Sequence, residues 1–221
     1  MVLVHGIGMS SRYFRNLSRR LRGHRRVVCV DLPGHGGLRR PGRDVDVAAM
    51  ARGLAVVLER TDAAGCVVVG HSMGAQWVVE TALIAPDLVA RVVAIGPVTD
   101  DAHRTVPAQA AALAMDSLRE PPRVNAVVFS DYVRCGIRWY LTQLRHMMAY
   151  PLEGRVARLS QPLLVLRGAR DPIAGTRWCR ALAASARDGR FVEIPGAAHV
   201  AQATRTDAVA AQLLALVPAE R

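Results

Sequence analysis

Three residues of the types that together perform nucleophilic chemistry on carbonyl carbon stand at comparable places in the chain. Ser72 follows the run Val67-Val68-Val69-Gly70, Asp171 follows Leu163-Leu164-Val165-Leu166-Arg167, and His199 follows Phe191-Val192-Glu193-Ile194. A serine hydroxyl is a weak nucleophile until a base takes its proton, and that base needs an orienting carboxylate. The chain supplies one of each in the order Ser, Asp, His, separated by 99 and then 28 residues. The chemistry they could perform is attack by the serine oxygen, with a covalent intermediate later released by water.

The elements needed to position them can be read around each one. Gly70-His71-Ser72-Met73-Gly74 places the serine where a β-branched run turns into a helical pattern, with glycines where strand and helix close on each other. Alone, this is also a glycine-rich turn with an N-capping serine. The other two loops, Gly168-Ala169-Arg170-Asp171-Pro172 and Pro195-Gly196-Ala197-Ala198-His199, each lie just past an apolar run. Reactive groups in open α/β sheets gather at those carboxyl ends.

Short β-branched runs predict strands at Val2–His5, Val27–Asp31, Cys66–Gly70, Arg91–Ile95, Leu163–Arg167 and Phe191–Ile194. Helical periodicity falls at Tyr13–Leu21, Val47–Arg60, Met73–Ala85, Arg177–Ala186 and Asp207–Leu216. The alternation predicts an α/β fold with a mostly parallel sheet. Between Thr99 and Ser160 it stops, and three helices are expected there. The first is Pro107–Arg119, with Ala110, Leu113, Ala114 and Leu118 as its apolar positions; the second runs through Val124, Val127, Val128, Tyr132 and Cys135; the third runs through Trp139 to Met148. The expected organisation is a core of residues 1–98 and 161–221 with a helical cap insertion at 99–160.

Five segments, in order, carry a resemblance: His5-Gly6-Ile7-Gly8, Asp31-Leu32-Pro33-Gly34-His35-Gly36, Gly70 to Gly74, Arg167-Gly168-Ala169-Arg170-Asp171 and Pro195-Gly196-Ala197-Ala198-His199. The chain resembles the α/β-hydrolase family, specifically its small capped, esterase-like members. The resemblance implies Ser72 as nucleophile, His199 as base and Asp171 as the residue orienting it. It also implies an oxyanion hole of the Ile7 and Met73 backbone N–H groups, with no metal and no cofactor. Asp100 and Asp101, after the strand ending at Ile95, are the alternative acids. The implied activity is hydrolysis of a carboxylic ester, lactone or thioester. Carbon–carbon bond hydrolysis and cofactor-free perhydrolysis use the same triad, and a non-catalytic ligand-binding protein could keep the same fold. Epoxide hydrolases and haloalkane dehalogenases need a carboxylate where Ser72 stands. Family members usually carry two more strands ahead of the one at Val2–His5; either the natural start lies upstream, or Val27–Asp31 is an exposed sheet edge, blunted by arginines or by contact with a second copy.

The bulk properties fit a small-molecule enzyme. The 221 residues are 51% hydrophobic, enough for a large core, and no apolar run approaches a membrane span. With no basic leader or cleavage site at the start, the expectation is a cytoplasmic protein with no membrane partner. The net charge of +11 comes from 29 basic residues that are all arginine, scattered and without aromatic interleaving, which predicts a solvated surface and no nucleic-acid partner. Cys29, Cys66, Cys135 and Cys179 lack ligand spacing and are expected to be buried free thiols. His5 and His71 are expected to pack or brace turns, while His24, His35, His103 and His146 are expected on surfaces or in loops. Met115, Phe129, Tyr132, Trp139 and Met147, with Tyr140 and Met148, are the candidates for an apolar substrate pocket, although such residues more often pack helices together.

Overall fold

Parallel strands cannot be joined by a tight hairpin, so each strand must be followed by a crossover long enough to return to the same end of the sheet. A computed structural model, which describes residues 1–61, 63, 65–101 and 104–216, shows this pattern. In chain order the elements are β1 (Val2–Val4), α1 (Arg15–Arg22), β2 (Val28–Val30), α2 (Val47–Arg60), β3 (Cys66–His71), α3 (Gly74–Ile84) and β4 (Val89–Ile95). Then come α4 (Val106–Arg119), α5 (Pro122–Cys135), α6 (Ile137–Ala149), α7 (Leu152–Val156), β5 (Leu163–Gly168), α8 (Thr176–Ser185), β6 (Gly189–Ile194), α9 (Ala201–Thr204) and α10 (Thr206–Leu214). The six strands form one sheet in the order β2-β1-β3-β4-β5-β6, parallel at every pairing.

The two-residue period of the strands divides the core. Val2, Val4, Val68, Val92 and Val165 face one layer with Leu54, Trp77, Val78 and Leu182. Leu3, Val67, Val69, Val93 and Leu164 face the other with Phe14, Leu17, Leu21, Val209 and Leu213. The central strands are buried on both faces, which is why they read as uninterrupted aliphatic runs.

Helix boundaries follow local chemistry. Asp46 caps α2 by accepting the Ala49 N–H at 2.7 Å, and Thr105 caps α4, whose first turn holds Pro107. Gly136, at φ +74°, ends α5 in a conformation that a side chain rarely adopts. One expected face is rotated. The buried stripe of α4 is Gln109, Ala112 and Asp116, continued by Glu120, while Leu118 is exposed. Two other expectations also change. His35 is a buried loop residue, its ring against His5, Trp77 and Trp139. Cys29 and Cys66 are only partly buried, although all four thiols are free. His103 lies outside the described residues.

Candidate active site

The serine turn is forced by close packing. Ser72 has φ +57°, a left-handed backbone that costs roughly 1–3 kcal/mol for a residue with a side chain. Its N–H donates to the Ile95 carbonyl at the end of β4 at 2.9 Å. A Cβ on Gly70 would stand 2.2 Å from the Gly74 carbonyl oxygen, and one on Gly74 would stand 2.4 Å from that of His5. The two flanking glycines therefore let β1, β3 and α3 converge beneath the serine. A Cβ on Gly6 would lie 2.8 Å from the Ser72 Cβ, so the loop after β1 passes directly beside the turn.

Asp171 and His199 meet as their loops suggested. Asp171 Oδ2 is 2.9 Å from His199 Nδ1, and Asp171 Oδ1 accepts the N–H groups of Ile173 and Ala174 at 2.8 and 3.0 Å. The buried Arg167 guanidinium holds this loop by donating to the carbonyls of Ala174 and Asp171 at 2.8 and 2.9 Å. Burial works to raise the Asp171 carboxyl, but the His199 ring and the two amides outweigh it and hold the carboxyl below its usual range. Gly96 leaves room for the pair, since a Cβ there would come within 3.0 Å of the His199 ring. Asp100 and Asp101 do not reach it: Asp100 accepts the Gly175 N–H at 3.0 Å, and Asp101 pairs with Arg177.

Ser72 and His199 line one cavity of about 910 Å³, together with Gly6, Ile7 and His71. No hydrogen bond joins the Ser72 hydroxyl to the His199 ring among the described residues; such bonds often tighten only in the substrate complex. The rest of the cavity wall is largely aliphatic and aromatic, supplied by α4, α5 and α6. Of the pocket candidates, Phe129, Tyr132 and Met147 line it, as does Tyr140. Met115 and Trp139 do not: Met115 is exposed on α4, and Trp139 is buried against Gly34 and the His35 ring.

Three contributions lay beyond the sequence reading. Asp116 Oδ1 accepts the main-chain N–H of His199 at 2.9 Å, and Glu120 Oε1 accepts that of Val200 at 2.8 Å, so α4 grips the histidine loop with two buried carboxylates. Burial raises both acids, Glu120 to about 7. Burial by itself would lower the His199 imidazole, but Asp171, followed by Asp116 and Glu120, raises it instead. The third contribution is a buried hydrogen-bond chain. The Gly6 N–H donates to the Tyr13 hydroxyl at 2.9 Å, which lies 2.8 Å from His71 Nδ1, while His71 Nε2 lies 3.1 Å from the His199 carbonyl. That carbonyl can only accept, so His71 carries its proton on Nε2 and accepts the Tyr13 O–H hydrogen bond on Nδ1. Burial, then the neighbouring His199, hold His71 well below the usual histidine range, keeping it neutral. His5 is structural as well: its Nε2 accepts the Leu32 N–H at 3.1 Å, and its Nδ1 bonds the Gly6 carbonyl at 2.8 Å. Among the described residues, no cluster of His, Cys, Asp or Glu could hold a metal ion.

The thermophilic esterase from Thermogutta terrifontis superposes with a TM-score of 0.83 at 21% identity, covering 97% of this chain and 88% of that one, a likeness of fold. The uncharacterized protein Rv2715 of Mycobacterium tuberculosis is 34% identical over 105 residues, 47% of this chain and 31% of that protein. The sn-1-specific diacylglycerol lipase ABHD11 of Mus musculus is 35% identical over 97 residues, 43% of this chain and 31% of the lipase. The aligned stretch thus spans about a third of the length of these curated relatives. The model of the "Alpha/beta hydrolase family" matches residues 1–212, nearly the whole chain. With that match and the all-parallel sheet, the chain belongs to the alpha/beta hydrolase family.

Proposed function

We propose that this chain is a serine hydrolase of uncharged, predominantly apolar carboxylic esters, with lactones and thioesters as close substitutes. The observation that carries this reading is Ser72, strained at φ +57°, sharing one cavity with a His199 ring bonded to Asp171 at 2.9 Å. In the reaction, Ser72 Oγ attacks the ester carbon while His199 Nε2 takes its proton. The tetrahedral oxyanion receives the Ile7 and Met73 N–H groups, and the imidazolium returns its proton to the leaving alcohol. Water, activated by the same ring, then cleaves the acyl-serine to the acid and restores the hydroxyl.

Charge narrows the substrate. Among the described residues, the only acids along the cavity wall are Asp116 and Glu120, and no arginine lines it despite the strongly basic chain. A carboxylate on the substrate would enter beside two buried acids, so the reading favours neutral acyl and alcohol groups. The test is a panel of p-nitrophenyl esters of graded chain length, with lactones, acyl-thioesters and hemisuccinate esters. Hydrolysis of neutral esters that disappears in Ser72→Ala supports the reading; turnover that survives in that variant, or preference for hemisuccinates, refutes it.

A further inference from the structure

Among the described residues, ten large hydrophobic side chains are exposed, and seven of them lie on α4, α5 and α6. Five of the seven, Val106, Phe129, Val133, Ile137 and Leu141, also line the cavity that holds Ser72, so they form a rim continuous with its interior. Val133 is 82% exposed and Ile137 68%. Phe129 with Val133, and Ile137 with Leu141, are four residues apart, so each pair shares one helix face. A contiguous apolar rim of this kind marks an interaction site.

The charges around the rim say what it meets. From residue 106 to residue 149 there are five arginines, at 119, 123, 134, 138 and 145, and every one is exposed, although Arg145 is paired with the exposed Asp44 of the loop before α2. The three acids of the same segment, Asp116, Glu120 and Asp131, are all buried. Arg40 joins from the loop after β2, its guanidinium over Gly136 and donating to the Arg134 carbonyl at 3.4 Å. Apolar side chains among exposed cations, with no exposed acid on these helices, fit the interface of a membrane carrying anionic lipid. A second copy docked symmetrically through this face would set arginines against arginines.

We propose that the rim formed by α4, α5 and α6 is a docking face for an anionic lipid bilayer, with Phe129, Val133, Ile137 and Leu141 entering the interface and Arg40, Arg134 and Arg138 meeting the headgroup phosphates. No described helix is long and apolar enough to cross a membrane, so the contact is with its surface. The expectation of no membrane partner rested on that same lack of a spanning segment, which speaks to crossing and not to resting on a surface. Docking does not depend on turnover at Ser72. If Ser72 is the nucleophile, the seated cavity mouth faces the lipid and receives apolar esters from it.

The experiment is co-sedimentation of the full chain with phosphatidylcholine vesicles, with and without phosphatidylglycerol. It compares the native chain, Val133→Ser/Ile137→Ser and Arg134→Gln/Arg138→Gln, each checked for folding by circular dichroism. The native chain should sediment with the anionic vesicles. The arginine variant should bind about 30-fold more weakly, at about fivefold per arginine, and the serine variant at least about tenfold more weakly. Native protein that stays in the supernatant overturns the proposal. So does a serine variant that binds like the native chain, because binding would then be attraction by net charge alone. A concentration-dependent dimer, lost in the serine variant and accompanied by no vesicle binding, would assign the face to a second copy instead.

Discussion

Replacing Asp116 with asparagine separates its charge from its hydrogen bond. The asparagine oxygen can still accept the His199 N–H, so the loop stays in place while one of the three carboxylates raising the imidazole is lost. For two unit charges about 6 Å apart at an effective dielectric of about 20, the interaction is worth up to about 3 kcal/mol, or about two pH units. The base must be neutral to accept the Ser72 proton, so activity rises as pH climbs through the His199 pKa. With that pKa raised, the acid limb of kcat/KM should lie above the ordinary histidine range, and Asp116→Asn should move it down by roughly one to two units. Between the two limbs the variant should be the faster enzyme. The assay is a pH–rate profile on a neutral p-nitrophenyl ester for the native chain, Asp116→Asn and Asp116→Ala. The alanine variant loses the anchor too and should show the same displaced limb with a lower plateau. A limb that stays in place in folded Asp116→Asn would show that this carboxylate does not act on the base.

Asp171→Asn should lower kcat by about 10⁴ with little change in KM, whereas Asp100→Asn, whose carboxylate serves the Gly175 amide, should be mild in steady-state assays. Tyr13→Phe strands the buried Gly6 N–H and the His71 Nδ1 acceptor, so urea unfolding should show a loss of about 2 kcal/mol or more. Glu80→Ala abandons the Arg155 guanidinium and the Tyr150 hydroxyl at the α3–α7 contact, and the same measurement should show a loss of about 3 kcal/mol.

The sheet was legible because its central strands are buried on both faces and therefore appear as unbroken aliphatic runs. Legibility failed where a strand meets solvent: β6 begins at Gly189 and not at Phe191, and the exposed Gly189 and Arg190 give no apolar signal. The five-residue helix α7 was hidden because Pro151 reads as a stop, yet it serves as the entry to that helix. The Ser72, Asp171 and His199 loops were legible because each follows directly on a strand. Asp116, Glu120 and Tyr13 were not, since their roles come from partners 83, 80 and 58 residues away in the chain. The face of α4 was legible only in part. Its buried stripe is polar where it meets the histidine loop and gives no hydrophobic signal, while of the four apolar positions that periodicity indicated, Ala110, Leu113 and Ala114 line the cavity and Leu118 is turned outward.

Whether Ser72 is an activated nucleophile is read by intact-protein mass spectrometry after brief exposure to a fluorophosphonate, with peptide mapping of the adduct. A single adduct is expected on Ser72, absent from Ser72→Ala and strongly slowed in His199→Ala. A folded native chain that acquires no adduct, or one that is labelled elsewhere and equally in Ser72→Ala, would contradict it.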